Sequence, residues 1–178
     1  MSPSSSPAET TLLIGVSDLS GFTRATAGMG AACDLFRLMD EYAEWVGDLV
    51  AGSGGRVVKF IGDGVLMSWP VAVADAGVAA LLRLRHEGDA WWAARGLAAC
   101  RHDVKAHVGN VACGLLGVRD DKRPDLIGSG VNACFLLKGH GFVLSPQAFR
   151  ALSPETRRHF KKHTPPVVYI PLDDPHRD

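Results

Sequence analysis

The chain lacks the features that would tie it to a membrane, a disulfide scaffold or a polyanion. None of its apolar runs approaches the roughly 18 residues of a membrane span. Charge of one sign is missing too: 19 basic side chains balance 19 acidic ones. No long-range field draws such a chain to nucleic acid or anionic lipid, so neither is expected as a partner, and an anionic ligand needs a local site. Only four cysteines occur, Cys33, Cys100, Cys113 and Cys134, widely spaced and without a C-x-x-C pair. That argues against a zinc cluster or a disulfide framework and for buried free thiols. The opening "MSPSSSPAE" has no basic stretch followed by an apolar one, as a secretory signal does, and a cytoplasmic location is expected.

What is present fits one domain with a sizeable core: 178 residues, 47% of them hydrophobic. Residues 1–10 and 173–178 read as short tails around a single domain over 11–172. "TLLIGVSDL" is a strand candidate, and Ala32 to Val50 repeats apolar residues at helical spacing. "RVVKFIG" and "VLMSW" face each other across Asp63-Gly64, a hairpin signal. A second helix runs from Val73 to about Arg85, with "GDAWWAARG" extending or following it. "DVKAHVG" and "VACGLLG" read as a second strand pair turning at Asn110, and "VRDDKRP" as a surface loop. Then come a helix through "VNACFLLKG", the strand "GFVLS", helical "PQAFRAL" and "PETRRHFKK", and a last strand "VVYIPL". Hairpins separated by helices predict an α+β fold, with a mainly antiparallel sheet covered on one side by helices.

Two carboxylates carry the chemistry. Asp18 ends an apolar strand and Asp63 tips a hairpin, and strands lying side by side would bring them together. Carboxylate pairs bind hard divalent ions next to substrate phosphates. Each also has a plainer explanation, Asp63 as a turn residue and Asp18 as a helix cap. The i, i+4 pair His159 and His163 has no acid between its members and reads as a helix surface, while His107 reads as packing or hydrogen bonding. Trp91 and Trp92 read as core or interface aromatics.

Taken together, "VSDLSGFT", "VVKFIGDGVLMSW", "AHVGNVACGLLG" and "DLIGSGVN" resemble, in order and spacing, the class III nucleotidyl cyclase catalytic domain. The resemblance covers about Thr11 to Leu172 and implies a ferredoxin-like sheet. It implies two Mg²⁺ or Mn²⁺ ions held by Asp18, Asp63 and the carbonyl of Leu19, with the loop Gly21, Phe22 and Thr23 meeting the triphosphate. Lys59 and Asp125 take the purine-reading positions of adenylyl cyclases: an ammonium gives a hydrogen bond to adenine N1 and a carboxylate accepts one from N6. Guanylyl cyclases have an acid in place of this lysine. Asn132 matches the residue that orients the ribose.

The activity so implied is conversion of ATP to 3′,5′-cyclic AMP and pyrophosphate at a head-to-tail dimer interface, formed by two copies or with another cyclase. The chain departs from the family where the transition-state arginine belongs. Leu136 stands there, or Phe135 with a one-residue slip, and Lys138 is a poor stand-in. The terminal-phosphate lysine is not evident either, Lys161 and Lys162 being candidates. These gaps leave two other readings open, a nucleotide-binding or regulatory partner module without turnover and cyclisation of a pyrimidine nucleotide.

Overall fold

β1 (Ala8–Ser20) lies antiparallel between β3 (Gly64–Pro70) and β4 (Arg101–Val118) in a computed structural model, which describes residues 6–174. β2 (Arg56–Ile61) forms the edge beyond β3. On the other side β4 is followed by β6 (Phe142–Leu144), β8 (Val168–Pro171) and β7 (Phe160–His163), with β4 and β6 parallel. β5 (Asp121–Ile127) pairs with the far half of β4, completing an eight-stranded sheet. The helices are α1 (Phe22–Thr26), α2 (Ala32–Gly52), α3 (Ala74–Ala93), α4 (Ser129–Leu136), α5 (Pro146–Ala151) and α6 (Pro154–Arg157). Ser145 and Ser153 cap α5 and α6, each accepting a backbone N–H, with proline at the first helical position. The α+β class expected from the hairpins is the one observed. No helix of the described residues is long and apolar enough to cross a membrane.

Because side chains alternate along a strand, β1 serves two cores. Leu13 and Leu19 pack with Met67, Trp69, Tyr42, Val46, Val78 and Leu81, under α2 and α3. Ile14 and Val16 face the opposite way and pack with Leu66, Val111, Val131 and Cys134, under α4. The sheet is therefore covered on both faces, not one. α4 comes close because Gly130 has no side chain: a Cβ there would lie 2.8 Å from the Asn110 carbonyl oxygen.

Other expectations are corrected. β4 runs through Asn110 without a turn, because β1 pairs with it from Ala8 to Ser20 and Thr11 Oγ1 donates to Asn110 Oδ1 at 2.6 Å. The hairpin turn comes later, at Arg119 and Asp120, and "DKRP" belongs to β5 rather than to a loop. Asp63 and Gly64 are not the turn pair either; Gly62 (φ 64°) and Asp63 turn, and Gly64 already pairs with Ile61. Helix α6 stops at Arg157, since pairing with β8 draws Phe160 to His163 into a strand. His159 then sits in a turn and His163 on β7, not on one helix face. Helix α4 ends at Leu136, so Lys138 lies beyond it.

At the N-terminus, residues 8–10 of the expected tail are strand. At the other end Asp174 is anchored by both Arg85 terminal nitrogens, at 2.6 and 2.8 Å. The rest of the expected tails, residues 1–5 and 175–178, lies outside the described residues. All four cysteines are free; Cys100 and Cys134 are buried as expected, but Cys33 is exposed. Trp92 is fully buried, and Arg95 stacks on Trp91 at 3.4 Å from the ring centre.

Candidate active site

Asp18 and Asp63 are brought together by the register of β1 and β3. Ser17 pairs with Val65 at the end of the β1–β3 ladder, which brings Asp18 beside Gly64 and the Leu19 N–H within hydrogen-bond reach of the Asp63 carboxylate. Glycine at 64 leaves the space between them open: a Cβ there would sit 3.4 Å from Asp18 Oδ1 and 3.2 Å from the Ser17 carbonyl. Partial burial, and after it the Asp18 charge, push the Asp63 carboxyl up from its ordinary value, against hydrogen bonds from its own backbone N–H and that of Leu19. Among the described residues neither carboxylate is in an ion pair. Two repelling carboxylates with only oxygen atoms to offer suit a hard divalent cation. No group of three or more His, Cys, Asp or Glu side chains surrounds a metal position among the described residues. A cation at Asp18 and Asp63 thus relies on ligand or water oxygens to complete its shell.

The phosphate-loop candidates follow directly. Gly21 takes the left-handed conformation (φ 82°), and a Cβ there would meet the Ala99 carbonyl oxygen at 2.6 Å, so the position needs glycine. Phe22 is held edge-on against Trp92, ring centres 5.8 Å apart, which fixes the first turn of α1. Thr23 is exposed on that turn, whose leading N–H groups have no partner within the helix.

Lys59 and Asp125 meet directly: Lys59 Nζ lies 2.7 Å from Asp125 Oδ2. A bulge in β2 makes this possible. Val57 pairs with Met67, but Lys59 pairs with Leu66 rather than with Val65. The extra residue turns Lys59 from the α2 side of the sheet to the face carrying Asp18 and α4. Asp125 Oδ1 also accepts the Leu126 N–H at 2.7 Å, which holds the carboxylate in place. Asn132 lies exposed in the first turns of α4.

The departures from the family are equally visible. Leu136 is 77% exposed and Phe135 is 42% exposed at the end of α4. Lys161 is occupied by the carbonyls of Leu172 and Asp174, at 2.9 and 2.5 Å, while Lys162 is exposed on β7. His107 is buried, shares a 2.9 Å hydrogen bond with the Ser145 hydroxyl and is held below its ordinary value by burial, which fits the expected packing role.

Three residues at the site were not singled out by sequence reading. Asp103 lies opposite Asp18 across β1 and β4, and Lys105 lies opposite Val16. Asp103 Oδ1 accepts the Gly141 N–H at 2.6 Å, and His140 Nδ1 is 3.7 Å from its other oxygen. A cleft of about 330 Å³ runs between Asp18, Lys105, Phe135 and His140. The available signal was the alternation in "DVKAH", where Asp103, Lys105 and His107 share a face opposite Val104 and Ala106.

This is the fold of the class III adenylyl and guanylyl cyclase catalytic domain. Comparisons with known proteins agree. A segment of 73 residues, 41% of the chain, is 44% identical to an adenylate cyclase of Streptomyces coelicolor and spans 18% of that relative. A bacterial light-regulated adenylyl cyclase superposes over 97% of this chain with a TM-score of 0.80 and 19% identity; the chain spans 55% of its length. The adenylyl cyclase CyaB from P. aeruginosa superposes over 96% of this chain and 98% of its own, with a TM-score of 0.78 and 18% identity. No protein-family model matches the chain.

Proposed function

We propose that the chain is a nucleotidyl cyclase domain that converts ATP to 3′,5′-cyclic AMP and pyrophosphate. The observation that carries this reading is the approach of Asp18 and Asp63 across Gly64. These two residues, with the Leu19 carbonyl, would hold two Mg²⁺ or Mn²⁺ ions. Bound there, the ions supply positive charge at the phosphates and make the ribose hydroxyl more acidic. The chain's own residues do the rest. Lys59 donates to adenine N1 and Asp125 accepts from N6, a pattern that guanine reverses. Asn132 orients the ribose so that attack of its 3′-oxygen on the α-phosphate is intramolecular. Backbone N–H groups of Phe22 and Thr23, cleared by Gly21, face the phosphate chain.

The working unit in this reading is a head-to-tail dimer, with Asp18, Asp63 and their loop from one chain and Lys59, Asp125 and Asn132 from the other. Exposed Leu116, Val118, Ile127 and Leu136 support it, since apolar side chains gathered on the β4–β5 hairpin and α4 favour a covering partner. Purified protein incubated with ATP and Mn²⁺ is expected to yield cyclic AMP. No product above an Asp18→Ala, Asp63→Ala control at high protein concentration overturns the reading.

Exposed Leu136 favours a second reading, a domain that binds nucleotide without turnover and serves another cyclase as partner or sensor. It predicts metal-dependent ATP binding with no cyclic product, or stimulation of a complete cyclase on mixing. Turnover of ATP by the protein alone at an ordinary rate excludes it.

A further inference from the structure

The cleft beside Asp18 contains one lysine and no arginine among its described lining residues, and that lysine is Lys105. It pairs with Val16 in the β1–β4 register, two residues from Asp18 along β1. Diagonal neighbours of this kind stand about 7–8 Å apart on one face of a sheet, within reach of a long side chain. Lys105 Nζ donates to the Phe135 carbonyl at 3.1 Å. That carbonyl is in the last turn of α4, where carbonyls lack helical partners and attract cations. The contact holds the ammonium at the α4 end of the cleft that Asp18 also lines. An ammonium has three donors, and this hydrogen bond uses one. The other cations considered for phosphate are less well placed: Lys161 is committed to two carbonyls, and Lys138 lies past the end of α4.

We propose that Lys105 binds the polyphosphate of the nucleotide held at Asp18 and Asp63, within the same chain, and supplies an electrostatic donor to a site left without the family's arginine. The inference rests on the nucleotide reading above. It makes Lys105 a substrate-binding residue on a rigid central strand rather than on a helix end. It also accounts for a cation that lines one cleft with Asp18 and Asp103 and has no ion pair to either.

The test is calorimetric binding of 3′-deoxy-ATP and 3′-deoxy-AMP in Mn²⁺; neither carries the attacking hydroxyl. The proteins compared are wild type, Lys105→Met, Lys105→Arg and Asp18→Ala. Lys105→Met keeps the apolar stem and removes the charge. It is expected to weaken 3′-deoxy-ATP about tenfold or more while changing 3′-deoxy-AMP much less, as loss of a charged hydrogen bond to the outer phosphates requires. Lys105→Arg should restore most of the affinity. Equal affinity of wild type and Lys105→Met for 3′-deoxy-ATP overturns the inference, as does an equal loss for both ligands. If wild type binds 3′-deoxy-ATP no better than Asp18→Ala does, the nucleotide reading fails first and this inference falls with it.

Discussion

Lys59 and Asp125, 66 residues apart in the chain, touch at 2.7 Å on the face of the sheet that also carries Asp18. The pair offers one donor and one acceptor side by side, the complement of an adenine edge. A change at either residue should therefore act on which base is taken, not on whether metal is bound.

Lys59→Glu alone would set two carboxylates against each other, so the informative variant is Lys59→Glu with Asp125→Ser. It is expected to reduce kcat/KM for ATP by about tenfold or more and to shift preference toward GTP. Initial rates with both nucleotides check this, with Mn²⁺ binding unchanged.

Leu136→Arg places a guanidinium on the exposed end of α4. Turnover of ATP is expected to rise by about 100- to 1,000-fold, the span associated with one transition-state donor. A gain at the lower end is expected if Lys105 already serves the phosphates.

Asp63→Asn removes a partly buried charge that faces Asp18. In metal-free buffer its melting temperature should rise slightly, by about 1–2 °C, because the repulsion is partly screened by solvent. Wild type with Mn²⁺ and 3′-deoxy-ATP at a hundredfold excess over Kd should gain about 5–10 °C, and the variant little or nothing. Thermal melts with and without ligand read both effects.

His107 sets an acid limit. Burial lowers its pKa from the ordinary 6.5, so the unfolded chain takes up a proton before the folded one does. Its contribution to stability is intact above pH 6.5 and is lost as pH falls below that, toward the folded value. Unfolding midpoints measured from pH 7.5 to 5 should fall less steeply in His107→Asn than in wild type.

Val118→Asp puts a charge on the hairpin tip, where the valine is 75% exposed. Sedimentation is expected to show a dimer for wild type and a monomer for the variant, with activity down about tenfold or more at equal concentration.

The sequence by itself determined the α+β class, the strand carrying Asp18, the hairpin carrying Asp63 and the helix from Ala32, because burial imposes periods of two and 3.6 on a local stretch. Gly21 was legible as part of a loop cleared for close approach, whereas Gly64 read as a turn residue and instead pairs with Ile61 beside Asp18. Only the tertiary structure decided which face Lys59 occupies, that β4 passes straight through Asn110, and that Lys105 stands beside Asp18 under the end of α4. A bulge, a register and a cross-strand neighbour depend on residues tens of positions away. Their cost and their benefit appear only once the partner strand is in place.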